Sequence, residues 1–167
     1  MGEQDYLELL PPGFTTLQEL SDLGIIVATP FDENEPLANP AAYERRRFLV
    51  IWLNKFVDLL CSHGLAFELW IDGSFVTQKP NPGDVDIAVI CKPEDVESLS
   101  EADYNAISAL FDNKRETKLR YKCDVVLFLS NNRFAWSKWH DLYGASHPDP
   151  TTGERRPKGI IRVRVRR

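Results

Sequence analysis

Between Pro40 and Gly64 the chain places Phe48, Leu49, Trp52, Leu53, Phe56, Leu59 and Leu60 three and four positions apart. That spacing gathers them on one side of a helix. Pro40 suits the first helical position and Gly64 a natural stop, so the pattern predicts a helix over 43–63. The period then changes. Phe67–Ile71 and Asp84–Ile90 are short apolar-rich runs bounded by Gly, Pro and Asp, the mark of strands. Asp72-Gly73-Ser74 ends the first, and a loop from Lys79 to Gly83 leads into the second. Residues 93–112 read as helical, Tyr121–Leu129 as a third strand, and 132–143 as a short helix with Trp136 and Trp139 on one core-facing side. Gly159–Arg166 alternates apolar and basic residues, as a solvent-facing strand does.

Upstream, residues 5–14 read as an extended lead-in ending in a turn at Pro11-Pro12-Gly13. Thr16 and Glu19 have capping-box spacing and predict a short helix through Leu23. Residues 28–40, with three prolines, predict a long surface loop. No internal repeat interrupts this order. The expectation is a single α/β (α+β) domain over 1–167, a small mixed sheet flanked by helices. Residues 1–40 are its lead-in and loop, and 130–167 supply the short helix and a basic C-terminal strand.

The candidate chemistry lies on the strands. Side chains on a strand repeat every two residues, so Asp84 and Asp86 share a face. Two adjacent carboxylates repel, and burying them unpaired is costly. A divalent cation resolves this, and an oxygen-only donor set selects magnesium or manganese. A phosphoryl-transfer site draws a further carboxylate from a neighbouring element. Asp124, a lone charge in the apolar run from Cys123 to Phe128, is the candidate. Gly73 allows a backbone to approach a phosphate closely, and Ser74 adds a hydroxyl donor at an expected helix start. Asp72 reads as a turn acceptor, and the alternative role for Ser74 is a helix cap.

Gly73-Ser74, nine intervening residues, Asp84-Val85-Asp86 and a later strand carrying Asp124 resemble the nucleotidyltransferase superfamily typified by DNA polymerase beta, above all its minimal members. The wider run from Trp70 to Thr77, followed by Pro82-Gly83-Asp84-Val85-Asp86, also resembles a family of small nucleotidyltransferase-like proteins, a likeness that extends to Pro11-Pro12-Gly13 and to Lys158-Gly159-Ile160-Ile161-Arg162 and so touches most of the chain. The resemblance implies the nucleotidyltransferase fold. It implies that Gly73 and Ser74 bind a triphosphate, and that Asp84 and Asp86 ligate the metals, Mg2+ or Mn2+. Asp124 would ligate the catalytic metal and help activate a hydroxyl acceptor. The implied reaction moves a nucleoside monophosphate from an NTP or dNTP to a protein, nucleic acid or nucleotide, releasing pyrophosphate. The rival class is a non-catalytic partner-binding module on the same fold, such as an antitoxin or defence-system subunit.

Basic residues add two expectations. Lys118, Arg120 and Lys122 alternate ahead of the third strand, so by parity they share the face of Asp124; they either lead phosphates toward it, with Lys122 assigned to the nucleotide, or keep an exposed strand from pairing with other chains. Arg162, Arg164 and Arg166 read as protection of an exposed edge, and Arg45-Arg46-Arg47 as a solvated helix face. His63, His140 and His147 lack metal-ligand spacing with the cysteines.

Charge sharpens the partners. The net of −5 argues against indiscriminate nucleic-acid binding. The chain is nonetheless divided, with 14 basic and 5 acidic residues from position 113 onward against 6 and 20 before it. Only 38 residues follow Leu129, too few for a separate acceptor-holding domain, so a protein partner or a second copy is expected to supply that part. Three cysteines in apolar segments read as reduced packing residues. The start is acidic, without a signal-peptide pattern, and no apolar run approaches the roughly 20 residues of a membrane span. The expected location is the cytoplasm.

Overall fold

The computed structural model describes residues 13–17, 40–76, 81–145, 148–155 and 159–165. Helix α1 runs from Pro40 to Ser62, opening at the proline and ending just before Gly64, whose φ is +82°. Its buried stripe is Leu49, Leu53, Phe56, Val57 and Leu60. Phe48, placed on that stripe by spacing alone, is 38% exposed and packs edge-on against Trp52.

Among the described residues five strands form one sheet: β1 (Gly13–Leu17), β2 (Phe67–Asp72), β3 (Val85–Cys91), β4 (Cys123–Leu129) and β5 (Gly159–Val165), in the order β1-β5-β2-β3-β4. β1 and β5 are parallel, as are β3 and β4, while β2 is antiparallel to both its neighbours. The expected mixed α/β architecture is the observed one. Between the parallel strands β3 and β4 lie three helices: α2 (Pro93–Glu97), α3 (Glu101–Asp112) and α4 (Lys114–Tyr121). Ser100 caps α3, its hydroxyl accepting from the Asp103 amide. After β4 comes α5 (Arg133–Tyr143).

Strand parity divides the interior in two. Phe67, Leu69 and Ile71 of β2, Val85, Ile87, Val89 and Cys91 of β3, and Cys123 and Val125 of β4 face α1, α3 and the end of α4. The opposite parity, Trp70, Ala88, Ile90 and Ile160, packs with Trp139 and Trp136 of α5. Both tryptophans therefore take the core role expected of them. The cysteines are free thiols, with Cys91 and Cys123 fully buried.

Three local expectations are corrected. Thr16 does not start a helix; it lies in β1, opposite Arg162 of β5. Segment 114–121 is helical, its Lys, Arg, Glu and Leu content favouring helix over strand. β5 is no edge, because it runs between β1 and β2. The remainder of the helix expected to Leu23, the loop over 28–39 and the turn before Gly13 lie outside the described residues. Among those described, no helix is long and apolar enough to cross a membrane.

Candidate metal and nucleotide site

Register brings the acids together. Asp72 stands opposite Asp86 in the β2–β3 pair, and Asp86 opposite Asp124 in the β3–β4 pair. Residues directly opposite in neighbouring strands project to the same side, so Asp72, Asp86 and Asp124 form one row across three strands. The row lies on the α5 side of the sheet, where Trp70 and Ala88 belong by parity. Asp84, just ahead of β3, shares the parity of Asp86. The three expected carboxylates therefore do assemble, with Asp72 as a fully buried fourth.

Asp72 fills the turn role read for it: its Oδ1 accepts from the Gly73 amide at 2.6 Å. That bond changes what Gly73 contributes. Its N–H is committed to Asp72, so the glycine supplies conformation and room. Its φ of +80° is a left-handed value, and a Cβ there would fall onto the Asp86 carboxylate, 2.7 Å from Cγ. Ser74 lies not at the start of a long helix but in a single 3-10 turn, Gly73–Val76, and is half-buried.

Among the described residues, Lys118 and Tyr143 reach the row from outside it. The Lys118 ammonium lies 2.5 Å from Asp84 Oδ2 and 2.9 Å from Asp124 Oδ2. The Tyr143 hydroxyl donates to Asp86 Oδ1 at 3.1 Å. Burial pushes the Asp86 carboxyl up to about 6; the negative charges of Asp84 and Asp124 add to this, while Tyr143 and Lys118 oppose it. Tyr143 is pushed above the ordinary phenol range by burial and by Asp86. Hydrogen bonds to Asp84 and Asp124 hold the Lys118 ammonium more firmly protonated than a free lysine. Burial lifts the Cys91 thiol to about 12 and raises that of Cys123, so neither is a nucleophile.

The basic residues fall out differently from the parity argument. Lys118 reaches Asp124 from α4, not along a strand. Lys122 is the left-handed cap of α4 (φ +57°), and its ammonium turns back to the Leu119 carbonyl at 2.8 Å. Its own carbonyl accepts from Val85 N–H at 2.9 Å, which fixes the end of α4 beside Asp84. Arg45 and Arg46 are not a solvated face. Arg45 donates to the carbonyls of Pro82 and Gly83 at 2.8 and 2.7 Å, bracing the segment that leads to Asp84, and Arg46 is 1% exposed. Arg162 pairs with both carboxylate oxygens of Glu68, at 2.6 and 2.7 Å, instead of guarding an edge.

The donor set suits a hard divalent ion, being all oxygen on adjacent rigid strands. Among the described residues, no three His, Cys, Asp or Glu side chains stand ready around one point. A lysine ammonium lies between Asp84 and Asp124. Asp86 lies directly opposite Asp124 on the neighbouring strand. Tyr143 and Arg45 were not legible in the sequence. Tyr143 lies 57 residues from Asp86 and Arg45 37 from Pro82, and no local spacing links them.

No curated protein and no solved structure matches the chain. A family model does: residues 4–164 match the one described as a family of unknown function, DUF6932, and the chain belongs to that family.

Proposed function

We propose that the protein is a magnesium- or manganese-dependent nucleotidyltransferase of the cytoplasm. One observation carries this reading: Asp86 and Asp124 stand in register on parallel strands, with Asp84 and Asp124 converging on one cation beside the Gly73 turn. Asp84, Asp86 and Asp124 are the residues that would hold the metal, which when bound neutralises charge on the transferred phosphoryl group. Gly73 gives the chain its left-handed turn, and Ser74 provides a hydroxyl for the phosphates. Tyr143 keeps the Asp86 carboxylate oriented. In the reaction the acceptor oxygen bonds to the α-phosphorus, the bond to pyrophosphate breaks, and Asp124 takes the hydroxyl proton. Positioning and charge supply the catalysis.

The test is to incubate the protein with each NTP and dNTP plus Mg2+ or Mn2+ and identify products by mass spectrometry. Pyrophosphate together with a new nucleotidyl adduct or oligonucleotide is the expected result. No product, with a cognate partner present, would favour a binding module. Asp124→Asn should reduce turnover at least about a hundredfold, the scale of losing one charge-stabilising group, while nucleotide affinity stays within a few-fold.

A further inference from the structure

Lys118 does not come from the strands that carry the acids. It projects from the last turn of α4, and its side chain is 45% exposed, yet its ammonium lies between Asp84 and Asp124. The backbone beneath it is fixed. The Lys122 amide donates to the Lys118 carbonyl at 2.9 Å, and the Lys122 carbonyl is tied to Val85. Only the four-carbon stem is needed for the charge to move. Partly exposed ion pairs of this kind are weak, a hold that a divalent ion with several carboxylate oxygens overcomes.

We propose that Lys118 is an exchangeable counter-ion: it neutralises Asp84 and Asp124 in the metal-free protein, yields them to a divalent cation, and then pairs with the polyphosphate that accompanies the metal. This rests on the reading of the three aspartates as metal ligands. The ammonium holds one oxygen of each carboxylate, and a metal that draws on those same oxygens displaces it. Released without an anion, it stays close to the new positive charge and opposes it. A polyphosphate removes that repulsion by taking up the ammonium. Metal and polyphosphate therefore each strengthen the binding of the other, and the coupling is reciprocal. Metal alone binds weakly. The lysine thus makes the site selective for a metal–polyphosphate complex over a bare ion.

The test compares wild type, Lys118→Met, Lys118→Arg and Asp86→Asn by calorimetric titration with manganese chloride alone and with preformed manganese–tripolyphosphate. Lys118→Met should bind manganese alone about tenfold more tightly, the combined weight of two partly exposed ion pairs. Its preference for the tripolyphosphate complex should shrink by a similar factor. Lys118→Arg keeps a cation in place and should stay within a few-fold of wild type for manganese alone. Unchanged or weaker manganese binding in Lys118→Met, while wild type binds manganese and Asp86→Asn does not, would overturn the exchange but leave the metal site standing. Failure of manganese to bind wild type in either form would overturn both. A second measurement needs no variant. Acylation of Lys118 in the wild-type protein, read by peptide mass spectrometry, should rise on adding manganese and fall again with tripolyphosphate. Labelling indifferent to manganese would equally overturn the exchange.

Discussion

The two faces of the sheet handle charge in opposite ways. Toward α1 and α3 the inward positions of β2, β3 and β4 are all apolar, and Phe56 closes on Phe111 and Tyr121 with ring centroids 6.1 and 5.5 Å away. The α5 face has the same aromatic filling around Trp70, Trp136 and Trp139, but it carries two groups of charges. In one, Glu68 is matched by Arg162 through both carboxylate oxygens, and the Trp70 indole donates to it as well. In the other, among the described residues, Asp84 and Asp124 share the Lys118 ammonium and Asp86 accepts from the Tyr143 phenol. The matched pair is a structural device. The tension in the carboxylate row falls on Asp86: burial, with the charges of Asp84 and Asp124 adding to it, lifts its carboxyl to about 6.

The largest expected effect would test whether stability resides on the α1 face. Phe56→Ala removes a fully buried ring and should cost about 3 to 5 kcal/mol in urea denaturation. Manganese affinity of the folded protein should be unchanged. A loss below 1 kcal/mol, or a specific loss of metal binding, would dissolve the contrast between the faces.

Next in size is the tension at Asp86. Its folded pKa lies above the ordinary 3.8, so the folded state binds the proton more tightly than the unfolded one. Stability of the metal-free protein is then greatest below about pH 4 with respect to this group, and falls as pH rises toward about 6. Asp86→Asn removes the penalty. In chelator at pH 8 the variant should be more stable than wild type, on the order of 2 to 3 kcal/mol, with the gain vanishing at pH 4. Thermal melts at the two pH values check this; a pH-independent difference would contradict it.

The smallest effect concerns Lys122. A non-glycine residue at φ +57° is strained by roughly 1 kcal/mol. Lys122→Gly should leave stability equal or raise it by less than that, with nucleotide affinity intact, because the ammonium engages the Leu119 carbonyl. A marked drop in nucleotide affinity would restore the phosphate role that the sequence suggested for it.

What the sequence disclosed follows from period and position. β2, β3 and β4 were legible because short apolar runs ended at Gly, Pro and Asp, and Asp86 and Asp124 stood out as charges inside them. α1 was legible from its caps and spacing, although Phe48 shows that spacing does not fix the centre of the buried stripe. Lys118 to Lys122 misled because alternation of basic residues fits a strand, whereas helix propensity and the left-handed Lys122 decide for helix. Arg162 misled because alternation with basic residues also occurs inside a sheet when a partner such as Glu68 lies across the pair. Tyr143 and Arg45 act through tertiary contacts, and nothing local in the chain announces those.

The proposed role of the carboxylate row on the α5 face is that of a divalent-cation site that works with nucleotide phosphates. Its most direct test is calorimetric titration of manganese into wild type and Asp86→Asn, each with a nucleoside triphosphate present. Wild type should bind, and the variant should keep its fold while losing at least about tenfold in affinity, the least expected when metal-site residues are altered. Equal manganese affinity in the two proteins would contradict the account.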